Sequence, residues 1–224
     1  MNSSWLSEIW SVIRKELQSE LRGKSGLITA AMFSIVSVIA MAMGAYGIKL
    51  RGGVAAGLLW VGIMFAVVVT LPRVFLQEEE QGTMDLLRLM GRGHAVFWGK
   101  ALYSLGLTEI CGFLLSGLFM ALMSQPVLDP GLLVLSIFGG CAALSGTVTL
   151  CSALVAHASN RAALAATIAI PLLLPVVALS VSASQSALGG ALPEPGYRAV
   201  TGLFAYAVAT FSIGPGIFAL VWKS

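Results

Sequence analysis

Of the chain's 224 residues, 58% are hydrophobic and only 10% are charged, and the mean hydropathy is +0.92; soluble domains carry roughly 25% charged residues. So apolar a surface does not fit inside one water-soluble core, and the composition reads as a single polytopic membrane domain. A net charge of +3 gives no nucleic-acid footprint, and Cys111, Cys141 and Cys151 are odd in number, lack metal-ligand spacing and sit in apolar runs as small hydrophobes.

In chain order, residues 3–22 have a helical period. Leu6, Ile9, Trp10, Ile13, Leu17 and Leu21 share one face, with Glu20 at its edge; Glu8, Ser11, Lys15, Gln18 and Arg22 lie opposite. Trp5 and Trp10 suit a headgroup layer. The segment 1–26 is therefore expected to be an interfacial amphipathic helix lying on the membrane, with an ordinary soluble amphipathic helix as the other reading. A mixed segment precedes the first long apolar run and no obvious cleavage site follows that run, unlike a secretory signal peptide.

Residues 27–224 then carry six apolar runs, near 27–48, 54–76, 100–124, 131–156, 164–188 and 198–222. Each has the roughly 20 residues a helix needs to cross hydrocarbon. Backbone groups in lipid must be satisfied within the segment, and alternating barrel patterns are absent, so an all-α fold of six transmembrane helices is expected. With the N-terminus in the cytosol, Arg14, Lys15, Arg22, Lys24, Arg73, Arg88, Arg92, Lys100, Arg161 and Lys223 face inward, and only Lys49, Arg51 and Arg198 face outward. This bias places both termini in the cytosol.

The second run breaks off at "RVFLQEEEQGTMDLLRLMGRGH", residues 73–94. Pro72 is a candidate kink. Gly82 supplies a backbone break, Thr83 an N-cap and Asp85 a charge suited to the helix dipole. Leu86, Leu87, Leu89 and Met90 make a short apolar surface, Gly91 and Gly93 end it, and Lys100 marks the next crossing. A short capped helix with exposed leucines, preceded by Glu79 and Glu80, fits docking into a groove of a cytosolic partner. Resting on lipid is the plainer reading of the same pattern.

The run of acid, Gly-Thr, acid, paired leucine and then lysine resembles the permease subunits of type-two ABC exporters, and more closely the CcmB, or haem exporter protein B, family. The resemblance covers nearly the whole chain and is strongest at "LLWVGIMFAVVVTLPRVFLQEEEQGTMDLLRL" and "IPLLLPVVALSVSA". Trp60, Arg73, Phe75, Glu79, Gly82, Thr83, Asp85, Leu87, Leu89, Lys100, Pro171 and Pro175 stand where that pattern expects such residues. The chain departs from it with Pro72 in place of an acid, and with Gly91 and Gly93 where prolines are common. The resemblance implies a coupling segment, 77–99, received by a cytosolic ABC ATPase. It also implies a homodimer of the permease beside haem-handling membrane subunits, in a complex whose ATP turnover serves cytochrome c maturation by haem delivery or by release of a haem-loaded chaperone.

No catalytic, metal or cofactor site is expected in this chain, and it is not read as an enzyme. "GKS" at Gly23–Ser25 lacks the P-loop glycine, since Gln18 holds that position, so ATP belongs to the partner. There is no haem attachment motif, and His94 and His157 are assigned to cytosolic loops, which leaves haem to the partner subunits. Glu109 is the one acid deep in a span. It reads either as a structural contact, protonated or bonded to a hydroxyl of the Ser145–Thr149 stretch, or as a transport residue. Pro171 and Pro175 lie on one face of the fifth run as a hinge or a static kink. Two other function classes remain: a type-two permease for a lipid, glycan or drug, and a membrane enzyme, which Glu78–Glu80 and Asp85 support poorly.

Overall fold

The computed structural model describes residues 5–23, 25–70, 93–155 and 161–222. Among these, seven α-helices and no strands occur: α1 (Trp5–Gly23), α2 (Ser25–Gly44), α3 (Gly52–Thr70), α4 (Gly93–Met123), α5 (Pro130–Val155), α6 (Arg161–Ala187) and α7 (Pro193–Trp222). Four apolar stretches are long enough to cross a membrane: Gly93–Met123, Pro130–Cys151, Thr167–Ala187 and Pro193–Phe218. Two shorter apolar helical stretches, Ala31–Gly44 and Gly52–Val67, lie in α2 and α3.

Apolar composition selects helices here because only helices close their own backbone hydrogen bonds without water. Their order in space follows from small residues. Every residue from Gly139 to Cys151 is buried, which makes α5 the central helix, packed against α7, α6 and α4. Glycines allow the close approach: a Cβ at Gly140 would strike the Trp60 ring, and one at Gly146 would strike the Thr210 hydroxyl. Without a hydrophobic drive between helices in lipid, such close backbone packing is the main source of association.

At one end of the bundle, loop chemistry fixes the helix ends. Gly47 and Gly189 take positive φ of 75° in the turns after α2 and α6, a conformation that costs glycine little. Asp129 caps α5, its Oδ1 accepting from the Leu132 amide at 2.9 Å, and Pro130 opens the helix where no amide is needed. The Leu128 and Asp129 amides donate to the Ala187 carbonyl at 3.0 and 3.1 Å. The α4–α5 loop is thereby stapled to the end of α6.

Candidate functional site at the start and middle of α4

Glu79, Glu80, Gly82, Thr83, Asp85, Leu86, Leu87 and Leu89 lie outside the described residues, as does Pro72. What the structure does describe is how the chain re-enters the bundle after them. Residues 93–99, expected as the tail of the coupling segment, are the first two turns of α4. Gly93 is the first described residue of this helix, and His94 is an exposed helical residue rather than a loop residue. The reason is local: Ala95, Val96 and Phe97 are apolar and buried, so packing extends the helix backwards past the lysine that looked like its boundary.

Lys100 is not a solvent-facing lysine. It is 1% exposed, and its Nζ meets Glu16 Oε1 of α1 at 3.2 Å. One residue earlier, Gly99 lies so close to Val12 and the Ile9 carbonyl that any Cβ there would collide with Val12. The helix α1 therefore docks on α4 through Ile9, Val12 and Glu16. The single apolar stripe read from sequence divides in two. Ile9 faces α4, whereas Leu6, Trp10 and Leu17, about a quarter-turn round, stay 48–70% exposed. On another side of the same turn, Phe97 meets Phe218 of α7 at 5.7 Å between centroids and crowds Gly214, and Trp98 stacks on Phe211 at 6.2 Å. The start of α4 is thus clamped between α1 and α7.

Glu109 lies near the middle of α4, with sixteen residues of the helix before it (109 − 93) and fourteen after (123 − 109). The side chain is half-buried, yet both carboxyl oxygens are buried and neither has a hydrogen-bond partner. The bond expected from the Ser145–Thr149 stretch is not formed. Thr147 Oγ1 instead donates to the Ala143 carbonyl of its own helix at 2.7 Å, and Ser145 Oγ and Thr149 Oγ1 are themselves buried without partners. By contrast, Trp60 Nε1 donates to Ser184 Oγ at 2.7 Å, and Ser184 lies 3.0 Å from Ser136 Oγ in a buried chain of contacts joining α3, α6 and α5. A cavity of about 310 Å³ between α2 and α4, lined by residues such as Ser34, Ile35, Ile110 and Leu114, is almost wholly apolar. Among the described residues no group of three metal-ligating side chains occurs.

The matching of this chain with known proteins bears on the helix pattern as a whole. The family model described as CcmB protein matches residues 7–221. The chain belongs to the CcmB family. Its match takes in all seven helices, including nearly all of α1, so the docked N-terminal helix falls within the family pattern. Two curated relatives of similar length are each called "Heme exporter protein B". The one from Bradyrhizobium diazoefficiens is 27% identical over 191 residues, covering 83% of this chain and 84% of its own. The one from Rhodobacter capsulatus is 27% identical over 202 residues, covering 89% and 92%. With its long apolar helices, this CcmB-family chain is a multi-pass membrane protein.

Pro171 and Pro175 both lie inside α6, which continues through them. In the turn between the prolines, the Leu172 carbonyl accepts from the Tyr206 hydroxyl of α7 at 2.9 Å, a side-chain tie at the place where prolines weaken the backbone ladder. Pro215 inside α7 is a third internal proline, missed by sequence reasoning. Its signal is the Gly214-Pro215-Gly216 triplet. Glu16 is missed too, because beside Lys15 it reads as one more polar residue on a polar face.

Proposed function

We propose that this chain is the non-catalytic permease subunit of a haem-exporter-type ABC complex serving cytochrome c maturation. In this reading it couples ATP hydrolysis by a partner ATPase to haem delivery or to release of a haem-loaded chaperone. The observation that carries the reading is the CcmB match over residues 7–221, joined by two relatives called heme exporter protein B. The clamped start of α4 supports it mechanically, since a segment gripped by an ATPase needs a rigid connection to the bundle. In this reading α2 to α7 make six crossings of a bacterial inner membrane with both termini cytosolic, and two copies of the chain pair in the complex. ATP sits at the partner ATPase and haem at the other membrane subunits.

The coupling role falls to Glu79, Glu80, Gly82, Thr83, Asp85, Leu86, Leu87 and Leu89. The leucines supply apolar surface for a groove, each worth roughly 1.5–3 kcal/mol when fully buried. The acids orient the encounter with basic residues of the ATPase. The double change Leu86→Asp with Leu87→Asp is expected to abolish co-purification of the ATPase and cytochrome c assembly while leaving membrane insertion normal. Full recovery of ATPase with that variant at normal expression would overturn the assignment.

A further inference from the structure

Inside the bundle, away from the α1 docking surface, the middle of α4 holds a carboxyl group with no hydrogen-bond partner. Both Glu109 oxygens are buried and unbonded, and on the neighbouring helix the hydroxyls of Ser145 and Thr149 are buried and unbonded as well, with Ser145 0% and Thr149 2% exposed. Helix register places Ser145 about level with Glu109 and Thr149 one turn further along α5. The six-residue loop 124–129 makes α4 and α5 antiparallel neighbours, and Gly112 is pressed against Cys141 Sγ. From that contact, one turn back along α4 reaches Glu109, and one and two turns forward along α5 reach Ser145 and Thr149.

Among the described residues no cation is paired with Glu109. Of the helices packed on α4, α2, α3 and α5 carry no Asp, Glu, Lys, Arg or His. The acid Glu194 and the base Arg198 of α7 lie in its first six residues, bonded to each other. On α1, Glu16 pairs with Lys100, nine residues from Glu109 along α4, and Glu20 lies near Tyr103. The remaining titratable groups near Glu109 are the thiols of Cys111 and Cys141, which are donors and not cations. A charged group without a counter-ion in so apolar a place neutralises itself rather than remain ionised.

We propose that Glu109 is a proton-binding site within the membrane, whose ligand is a single proton taken from an aqueous face. Binding converts the carboxylate to the neutral acid: one O–H bond forms, the side-chain charge goes from −1 to 0, and no other bond changes. The unpartnered hydroxyl of Ser145, about level with Glu109 on α5, is the polar group that helix register brings nearest to the acid's dipole. The neutral acid lets α4 pack in the middle of the bundle without an ion pair.

The test uses the full chain in phospholipid nanodiscs. Infrared spectra at neutral pH are expected to contain the carbonyl stretch of one protonated carboxyl per chain, absent in Glu109→Gln and retained at a shifted position in Glu109→Asp. The second variant guards against a folding defect in the first. Ser145→Ala with Thr149→Val is expected to move the band without removing it. Dicyclohexylcarbodiimide, which attacks protonated carboxyls in apolar surroundings, is expected to leave its adduct on Glu109 by mass spectrometry. A wild-type spectrum that does not differ from Glu109→Gln in the protonated-carboxyl region overturns the proposal. So do carboxylate bands at Glu109 that respond to sodium or potassium and not to pH, which would make the ligand a metal cation.

Discussion

Lys100 and Glu109 stand nine residues apart on one helix, both with their polar atoms buried, and they are treated in opposite ways. Lys100 has Glu16 of α1 at 3.2 Å, whereas Glu109 has no hydrogen-bond partner at all. The difference follows from position. Lys100 lies near the start of α4, where a second amphipathic helix can bring a carboxylate to it. Glu109 lies in the middle of α4, away from the Glu16 contact, where the apolar helices α2 and α5 pack on it and carry no Asp, Glu, Lys, Arg or His. One region uses charge as a fastener between helices; the other holds a single ionisable group in reserve.

The comparison breaks most visibly at the fastener. Lys100→Met leaves Glu16 with only the half-exposed Lys15, whose Nζ is 3.6 Å away, so the loss should fall toward the lower end of the about 3–5 kcal/mol that breaking a buried pair typically costs. We expect a large fall in thermal stability and faster proteolysis within α1, with most of the loss recovered when Glu16→Gln is added. A single variant as stable as the parent would mean that the pair fastens nothing. The Trp60–Ser184–Ser136 chain is a neutral counterpart. Trp60→Phe removes its donor and a buried contact, and about 1–3 kcal/mol should be lost in denaturant-monitored unfolding. Glu109→Gln should sit at the other extreme, within about 1 kcal/mol of the parent, since no protein bond is removed and the neutral amide replaces a neutral acid. A loss as large as that of Lys100→Met would reveal a partner and erase the contrast.

The smallest effect belongs to Asp129, a carboxylate with partners at the water-facing end of the bundle. The Leu132 amide, and then the Tyr197 hydroxyl, hold its carboxyl below the usual aspartate value of about 3.9. Its folded value is lower than its unfolded one. Its contribution is therefore complete above the ordinary carboxylate range and is lost as pH falls through the lowered value. Asp129→Asn should flatten that acid limb of the melting temperature against pH and leave the neutral region little changed. An unaltered acid limb would show that the cap contributes no pH dependence.

Much of the helix pattern is legible in the sequence. The six apolar runs correspond to α2 to α7, with most ends within a few residues, because apolar length alone dictates helices in lipid. The beginning of α4 is not legible: Gly93 and His94 look like part of a connection, and only the packing of Val96 and Phe97 against the bundle draws them into the helix. Nor is the role of Glu16, whose partner is 84 residues distant. Glu109 announces itself as a lone acid in a long greasy run. Its lack of a hydrogen bond does not, since the hydroxyls of residues 145–149 suggest a ready partner, yet no bond from them is made. The candidate coupling residues are read from spacing and resemblance, and they fall outside the described residues.

The staple between the α4–α5 loop and Ala187 matters to anyone who wants to put a handle on this protein. Loop 124–129 is short and polar enough to invite an epitope or a fluorescent insertion, but its last two amides already serve as hydrogen-bond donors to another helix, and Leu128 fills the space over Gly189. Extra residues there would pull apart two hairpins at once. The α2–α3 turn is the better graft point: Tyr46 is 90% exposed and Ile48 65%, and its backbone bonds from residues 45–48 reach only their own immediate neighbours in the chain. A tag at that turn reports on the bundle without prying it open.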